Sequence, residues 1–479
     1  MNGHRILIIA AIFFSASTIA AETDEIRSTL NDQQSVAVTI YNTNLALVKD
    51  QRKIKLKSGL NNLALRDVSA QIRPETALLS SLSNAGSISV LEQNFDFDLL
   101  TPQKLLEKYV GKNVTIIRTN PATGAETSEP ATVLSANNGV VMRVGDHIET
   151  GMPGRIVYDD VPANLRDRPT LVTKLTNKVA AEQSVELSYL TGGLGWKADY
   201  VAELNARENA IELSGWVTLT NTSGTSYNNA RLQLVAGDVN RVPESIALGA
   251  LRKTETRERM AANAPMAEES LLEYHLYTLD RPTTIAENQT KQVALLYASG
   301  VLARKDLVLR GNNYYYRSSY GELGQKMKVG VYLEFENKES AKLGMPLPKG
   351  IIRVYKKDSA GNAQFVGEDH IDHTPRNEKV RLKLGEAFDV TADKKQTDFK
   401  ILPYPAKGNR LYESAYEIVL KNAKKEAVSV TVLEPIPADW KILKENHRGT
   451  KATSNTAVWK IDVPADGSTT LTYRVQVKY

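Results

Sequence analysis

The chain of 479 residues contains no cysteine. This absence excludes disulfide bonds, thiolate-bound metal ions, cysteine nucleophiles and a lipid anchor on a cysteine at a signal-cleavage site. Burial of apolar side chains therefore has to stabilise the fold without covalent cross-links. No motif for a cofactor stands out, and none is expected.

Neither sign of charge dominates the sequence. Sixty lysine and arginine residues face 55 aspartate and glutamate residues, which gives a formal charge of +5 without a dominant block. A small net charge with both signs interspersed argues against nucleic acid as a partner. Long apolar runs are also absent after the N-terminus, so no integral membrane segment is expected once the first 21 residues are removed.

The N-terminus carries an export signal. "MNGHR" supplies one firm positive charge at Arg5, "ILIIAAIFF" is a short apolar run, and "SASTIAA" provides small residues before a charged stretch. This three-part layout is typical of a secretory signal peptide. We predict a signal peptide over residues 1–21, cleavage after Ala20 or Ala21, and a periplasmic or secreted protein of a Gram-negative envelope.

The following sequence predicts a mostly-β fold. Segments such as "SVAVTIY" and "KIKLK" alternate apolar and polar residues with a period of two, as half-buried strands do. Residues 22–110 are predicted to form an N-terminal β region that ends in a short helix. In "LTPQKLLEKYVG", Thr101 is placed as the N-cap, Pro102 as the first helical residue, and Gly111 just past the end.

Residues 111–169 predict a small SH3-like β-barrel, because five short strands are separated by turns such as "NPATG" and "NNG". From residue 170 to residue 479 a long series of strands predicts a C-terminal β-sandwich superdomain. The polar segment near residues 243–270 lacks strand alternation and is expected to be an exposed loop. The alternative architecture is one continuous sandwich with the barrel inserted into it.

The glycine-rich stretch "YLTGGLGWKADY" could suggest a phosphate-binding loop. Such a loop has to lie between a strand and a helix, whose N-terminus holds the phosphate. Here the following residues "WKADYVAEL" alternate, with Trp196 and Tyr200 on the apolar side, and so predict a second strand. The glycines are therefore expected to connect two strands, and Trp196 and Tyr200 to anchor the sandwich core.

Three blocks of the sequence resemble a known family. They are "LSYLTGGLGWKADYVAEL" with "GWVTLTNTSGTSYNNARLQLVAGDVNRV", then "PLPKGIIRVYKKDSAGNAQFVGEDHIDHTP", and finally "AVWKIDVPADGSTTLTYRV". The pattern resembles an exported bacterial family of unknown function, domain of unknown function 4139, whose named members are called mucoidy inhibitor A. The resemblance implies a β-sandwich in the cell envelope and structural roles for Trp216, Asn221 and Tyr227. It implies no catalytic residues.

The best candidate metal site is "GEDHIDHTP". His370, Asp372 and His373 could supply nitrogen and oxygen ligands. In a strand, however, His370 and Asp372 share one face and His373 points away, so a remote ligand would be needed. The alternative is a polar strand end that runs into a turn at Pro375.

The stretch "RGNNYYYRSSYG" is the best candidate for binding. Tyr314, Tyr315, Tyr316 and Tyr320 combine aromatic faces with polar tips, which suits contact with a sugar or a peptide. The alternative is a sheet edge that displays tyrosines.

These observations favour a non-enzymatic binding or scaffold module of the cell envelope, with an envelope protein or polysaccharide as partner. The alternative is a metal-dependent or carboxylate-based hydrolase that acts on envelope polysaccharide or peptide. The sequence lacks the G-x-S-x-G elbow of serine hydrolases, but paired carboxylates cannot be recognised from sequence alone.

Overall fold

The computed structural model describes residues 25–42, 44–151, 154–162, 165–237, 239–240, 266–403 and 410–479. The expected signal peptide, residues 1–21, lies outside the described residues. The mostly-β prediction is confirmed, since the described part of the chain contains thirty strands and a single α-helix. The chain divides into two compact units, one comprising Met1–Val36 and Val48–Thr191, the other Ala37–Leu47 and Gly192–Tyr479.

The first unit contains strands β1 to β13 and helix α1, although β2 and β3 each contribute residues to both units. Its elements are β1 Glu25–Ser28, β2 Gln33–Tyr41, β3 Leu45–Leu56, β4 Gly59–Arg66, β5 Leu78–Ser81, β6 Ile88–Asp96, α1 Pro102–Lys108, β7 Asn113–Thr119, β8 Glu126–Ser135, β9 Val141–Val144, β10 His147–Thr150, β11 Arg155–Val157, β12 Thr170–Asn177 and β13 Ala181–Thr191. Two 3-10 turns cover Leu30–Asp32 and Pro74–Thr76.

Most of the first unit is built on two sets of paired strands. One sheet has the order β1-β4-β12-β6, and strands β3, β13 and β5 are neighbours in another. A buried arginine lies within this unit, where the Nη2 atom of Arg52 is 2.8 Å from Asp50 Oδ2 and also donates to the carbonyl oxygen of Arg66. These contacts compensate the buried guanidinium for its loss of water.

Helix α1 begins as the sequence predicts. Thr101 accepts a hydrogen bond from the Lys104 amide and Pro102 is the first helical residue. Gly111, just past the end, adopts a φ of 82°, which a residue with a side chain rarely does. The helix leads into the five-stranded antiparallel sheet β10-β9-β8-β7-β11.

This sheet corrects the prediction of a small barrel over residues 111–169. Five strands are present with a core of their own, which includes Val114, Ile116, Val133 and Met142. Among the described residues, however, the outer strands β10 and β11 do not pair, so the sheet remains open. The turn signals predicted the number of strands, but closure depends on register and tilt, which they do not encode.

The second unit contains the remaining strands. They are β14 Leu194–Leu204, β15 Ala210–Asn221, β16 Tyr227–Ala236, β17 Met266–Leu271, β18 Tyr274–Leu279, β19 Thr283–Ile285, β20 Gln289–Arg310, β21 Glu322–Glu336, β22 Gly350–Lys357, β23 Ala363–Ile371, β24 Lys379–Leu402, β25 Leu411–Asn422, β26 Val428–Pro435, β27 Asp439–Glu445, β28 Thr450–Thr453, β29 Thr456–Val463 and β30 Gly467–Lys478. Two 3-10 turns cover Asn313–Tyr316 and Glu339–Ala341.

A sheet with the strand order β23-β22-β14-β15-β20-β21-β24-β25-β30-β27 dominates the second unit. The 22-residue strand β20 pairs with β15 along its first part and with β21 and β26 along its second part. Residues 37–41 of β2 add a parallel neighbour to β16, which also pairs with β18 and β19. The predicted boundary at residue 170 thus does not coincide with the edge of this unit, which includes Ala37–Leu47.

The prediction of an exposed loop near residues 243–270 is wrong for its last residues, which belong to a strand. Residues 241–265 lie outside the described residues. Met266–Leu271 form strand β17, which pairs with β18, and Met266 is buried. The sequence "MAEESL" lacks the apolar–polar alternation of a strand, because only its first residue faces the core.

The C-terminal part of the second unit has a large apolar core. Inward residues of β24, β25 and β30 form one cluster with those of β26 and β29. Trp459 and Tyr473 stack within it, with ring centroids 4.7 Å apart. Side chains from five strands thus share one core in this part of the unit.

Candidate functional site

The glycine-rich stretch connects two strands, as predicted. β13 ends at Thr191 and β14 begins at Leu194, and Gly193 adopts a φ of 76°. The Gly193 amide donates to Asn44 Oδ1, and the Gly193 carbonyl accepts from the Thr222 amide, both at 2.7 Å. The amide that a phosphate would need is thus bonded within the protein.

The candidate metal ligands do not converge. His370 lies exposed in β23, whereas Asp372 and His373 follow the end of that strand. His373 Nδ1 lies 3.3 Å from the backbone nitrogen of Lys349, in hydrogen-bonding geometry. Throughout the described part of the chain, no group of three or more histidine, aspartate or glutamate side chains is arranged to hold a metal ion.

The tyrosine segment divides between core and surface. Tyr315 and Tyr316 are buried, whereas Tyr314 is 48% exposed and Tyr320 is partly exposed. The rings of Tyr314 and Tyr320 meet edge-on, with centroids 5.8 Å apart. Only Tyr314 and Tyr320 are therefore placed to contact a partner, and the two middle tyrosines belong to the core.

An ion pair is buried beside these two core tyrosines. Lys394 Nζ lies 2.6 Å from Glu434 Oε1, and neither side chain is exposed. Tyr316 donates its hydroxyl proton to Glu434 Oε2 at 2.7 Å, and Lys394 Nζ lies 4.4 Å from the centroid of the Tyr315 ring. Opposite charge, a hydrogen bond and a cation–π contact together compensate the loss of water.

Burial governs the protonation of this cluster. It raises the pKa of the Tyr316 and Tyr473 hydroxyls well above their usual range, and the nearby Glu434 carboxylate raises these pKa values further. Burial also lowers the pKa of Lys394, against the opposing effect of Glu434. The two tyrosines therefore act as hydrogen-bond donors and not as bases.

Four residues expected to be structural are buried, namely Trp196, Tyr200, Asn221 and Tyr227. Tyr200 donates to the Pro348 carbonyl at 2.8 Å. Its ring lies over Gly215, where an added Cβ would come within 3.2 Å of ring carbons. Glycine at position 215 thus makes room for the ring of Tyr200, its cross-strand neighbour.

Trp216, the fifth residue expected to be structural, lies instead on the outward face of β15 and is 41% exposed. Tyr297 of β20 is 64% exposed and shares this face, because it pairs with Ser214, two residues before Trp216. Such diagonal neighbours lie about 7–8 Å apart. Two large rings are thus presented side by side on one sheet surface.

A second aromatic pair extends this surface across β22 and β23. The rings of Tyr355 and Phe365 meet edge-on with centroids 5.6 Å apart, and Phe365 is 55% exposed. The register places both residues on the same face of the sheet as Arg353 and Asp199. We name this surface the aromatic face and define it by Asp199, Trp216, Tyr297, Arg353, Tyr355 and Phe365.

A network of polar side chains separates the two aromatic pairs. Asp199 Oδ1 lies 3.1 Å from Arg353 Nη1, and Asp199 Oδ2 accepts from the Thr218 hydroxyl at 2.8 Å. Arg353 Nε lies 3.2 Å from Glu368 Oε2, and Lys197 Nζ lies 3.6 Å from Asp199 Oδ2. The central cations of the aromatic face are thus each paired with a carboxylate.

The protonation of Asp199 follows from these contacts. Burial alone would raise its pKa, but the hydrogen bonds from Thr218 and Arg353 and the charges of Lys197 and Arg353 outweigh burial, so the pKa is lowered. Asp199 is therefore a charged, fully engaged acceptor at neutral pH. It has the character of a binding group and not of an acid–base catalyst.

Sequence reasoning missed the aromatic face although one signal for it was available. In "ENAIELSGWVTL", the alternation that places Leu213 and Val217 inward places Trp216 outward. Tyr297 gave no such signal, because a register shift at Gly215/Trp216 leaves both Leu295 and Leu296 buried and breaks the alternation.

One family model matches the C-terminal part of the chain. A domain of unknown function, DUF4139, matches residues 185–479, so the match begins inside β13 and includes every later strand. Comparison with curated proteins returns no match. Within the described ranges, no helix has the length and apolar character that a membrane span requires. Since the match covers more than half of its length, the chain belongs to the DUF4139 family.

Proposed function

We propose that this protein is a non-catalytic binding module of the bacterial cell envelope, exported by the segment at residues 1–21. The exposed aromatic rings of Trp216 and Tyr297 carry the proposal. Large aromatic side chains contribute most to stability when buried, so two adjacent rings on an outer sheet surface favour a role in recognition.

The ionic network supports binding over the hydrolase alternative. A carboxylate-based hydrolase needs one carboxyl group with a raised pKa or one free to act on substrate. Asp199 and Glu368 are instead both bound to Arg353, and the pKa of Asp199 is lowered. The resemblance of the quoted blocks to the mucoidy inhibitor A proteins adds support for an envelope location.

Site-specific crosslinking in living cells tests the proposal. A photoreactive amino acid is placed at position 216 or 297, and the matched control carries it at Phe388, an exposed aromatic residue elsewhere in the same unit. We expect a reproducible adduct in the envelope fraction from positions 216 and 297 only. Failure of both positions, or a purified protein that hydrolyses envelope glycans, would contradict the proposal.

A further inference from the structure

The aromatic face has the chemistry of a surface for sugar rings. Trp216 and Tyr297 lie on adjacent strands and on the same face of one sheet. Pyranose rings present patches of C–H groups that pack on aromatic rings, while their hydroxyl groups need hydrogen-bonding partners at the edges. Tyrosine and tryptophan supply an apolar body with one polar end, which meets both needs.

Hydrogen-bonding groups lie directly beside Trp216. Gln292 Nε2 donates to the Thr218 hydroxyl at 3.1 Å, and that hydroxyl donates to Asp199. The register places Thr218 next to Gln292 and two residues from Trp216 on the same strand face. Because Gln292 is exposed, its amide oxygen is accessible to a ligand hydroxyl group.

The charges of the face favour an uncharged ligand. An anionic polymer would compete with Asp199 and Glu368 for Arg353, since both carboxylates are already bound to it. Glu203 and Glu212 also lie opposite each other on the outward face of β14 and β15, and they would repel a polymer of acidic sugars. A neutral polysaccharide would neither compete for Arg353 nor be repelled by Glu203 and Glu212.

The spread of the aromatic residues indicates a chain of sugars. Trp216 lies on β15 and Tyr355 on β22, two strands away, and the register offsets them by four residues along the strands. This corresponds to roughly 16 Å, which exceeds the length of one sugar ring. A protein partner, by contrast, would favour a contiguous apolar centre, and here the polar network separates the two aromatic pairs.

We infer that the aromatic face binds an uncharged polysaccharide chain. This inference rests on the proposed binding function and specifies its ligand. Trp216 and Tyr297 stack on successive rings, and the exposed amide of Gln292 binds a hydroxyl group between them.

Binding of defined oligosaccharides to the purified full-length chain tests this inference. The probes are chitohexaose and cellohexaose, which are neutral, and an alginate hexamer, which carries a carboxylate on each ring. We expect at least one neutral probe to bind and the alginate hexamer not to bind. Trp216→Ala and Tyr297→Ala should each weaken binding by about tenfold or more, as expected for aromatic contact residues, and the control Phe388→Ala, at an exposed aromatic residue outside the face, should leave it unchanged.

The outcomes distinguish an error in the ligand class from an error in the proposed binding function. Binding of the alginate hexamer alone, no binding of any probe, or neutral-probe binding that survives the Trp216→Ala/Tyr297→Ala double substitution would each overturn the inference. A protein adduct in the crosslinking experiment would also overturn it, while leaving the binding function intact. Circular dichroism of the variants checks that the exposed substitutions have not disturbed the fold.

Discussion

Lys394 and Glu434 form an ion pair from which solvent is excluded, with 2.6 Å between Nζ and Oε1. The two residues come from β24 and β26, so the pair connects two strands that are not neighbours in a sheet. Gly311 is constrained by the same carboxylate, because an added Cβ would lie 2.4 Å from Glu434 Oε2. The pair therefore fixes the relative positions of three segments in the core.

Removing one partner of this pair should be strongly destabilising. Lys394→Met leaves a buried carboxylate and Glu434→Gln leaves a buried ammonium group, so each should lower the free energy of unfolding by about 3–5 kcal/mol. The double variant Lys394→Met/Glu434→Gln should lose much less than the sum of the two. Urea denaturation measures all three, and additive losses would show that the two charges are not coupled.

Alkaline pH should destabilise the protein through its buried tyrosines. In the unfolded chain a tyrosine loses its proton near pH 10, whereas Tyr316 and Tyr473 keep theirs because their pKa values are raised when folded. Their contribution to stability is thus complete below about pH 10 and is lost as the pH rises from there toward the folded-state pKa.

Ultraviolet absorbance of tyrosinate, followed together with unfolding, checks this prediction. Tyr316→Phe and Tyr473→Phe should each reduce the steepness with which stability falls above about pH 10. If both tyrosines ionise while the protein remains folded, the burial argument fails.

Two tryptophans on adjacent strands should differ in how much their replacement by alanine lowers the free energy of unfolding. Trp196 is buried in β14, so Trp196→Ala should cost about 3–5 kcal/mol of stability. Trp216 is exposed in β15, so Trp216→Ala should change stability by less than about 1 kcal/mol. Thermal and urea unfolding of both variants make the comparison, and a Trp196→Ala protein that melts like the parent would show that its ring is not packed.

Replacing either of two buried asparagines at the ends of strands should lower the free energy of unfolding. Asn221 donates to the carbonyls of Thr225 and Ile285, and Asn422 donates to those of Glu426 and Pro464. Alanine at position 221 or 422 leaves several of these groups without a partner and should cost about 2–3 kcal/mol. The exposed Asn228 provides the control, for which a near-neutral alanine substitution is expected.

A fragment that begins at Thr170 should fold incompletely. It includes β12 to β30 but lacks residues 37–41, which pair in parallel with Arg231–Val235 of β16. The unpaired side of β16 then becomes an open edge that promotes association. Light scattering should show oligomers, and addition of the segment 37–47 through a flexible linker should restore a monomer. A monomeric fragment with a cooperative melt would instead support the boundary predicted from the sequence.

Local patterns predicted the parts of the fold that local physics determines. The caps of α1 followed from Thr101, Pro102 and Gly111, and the strands followed from alternation. Nothing local indicated that β2 would pair with β16, since almost two hundred residues separate Ala37 from Arg231. The turn residues likewise did not indicate that the five-stranded sheet would stay open, because they do not specify register.

The candidate site was harder to predict because its residues are distant in sequence. Trp216, Tyr297 and Arg353 lie on three strands, and only the sheet order places them on one face. The tyrosines of "RGNNYYYRSSYG" form a conspicuous pattern in the sequence because three of them are consecutive. Tyr315 and Tyr316 are nevertheless buried, since the 3-10 turn Asn313–Tyr316 directs them to the core.

The length of β20 has a consequence for how the second unit opens. A single strand of 22 residues pairs with β15 at one end and with β21 and β26 at the other. Because one continuous strand supplies the hydrogen-bonding partner in both regions, we expect the two regions to open together as one cooperative folding unit. Amide hydrogens along the whole of β20 should accordingly exchange with solvent at similar rates, through a common global opening event.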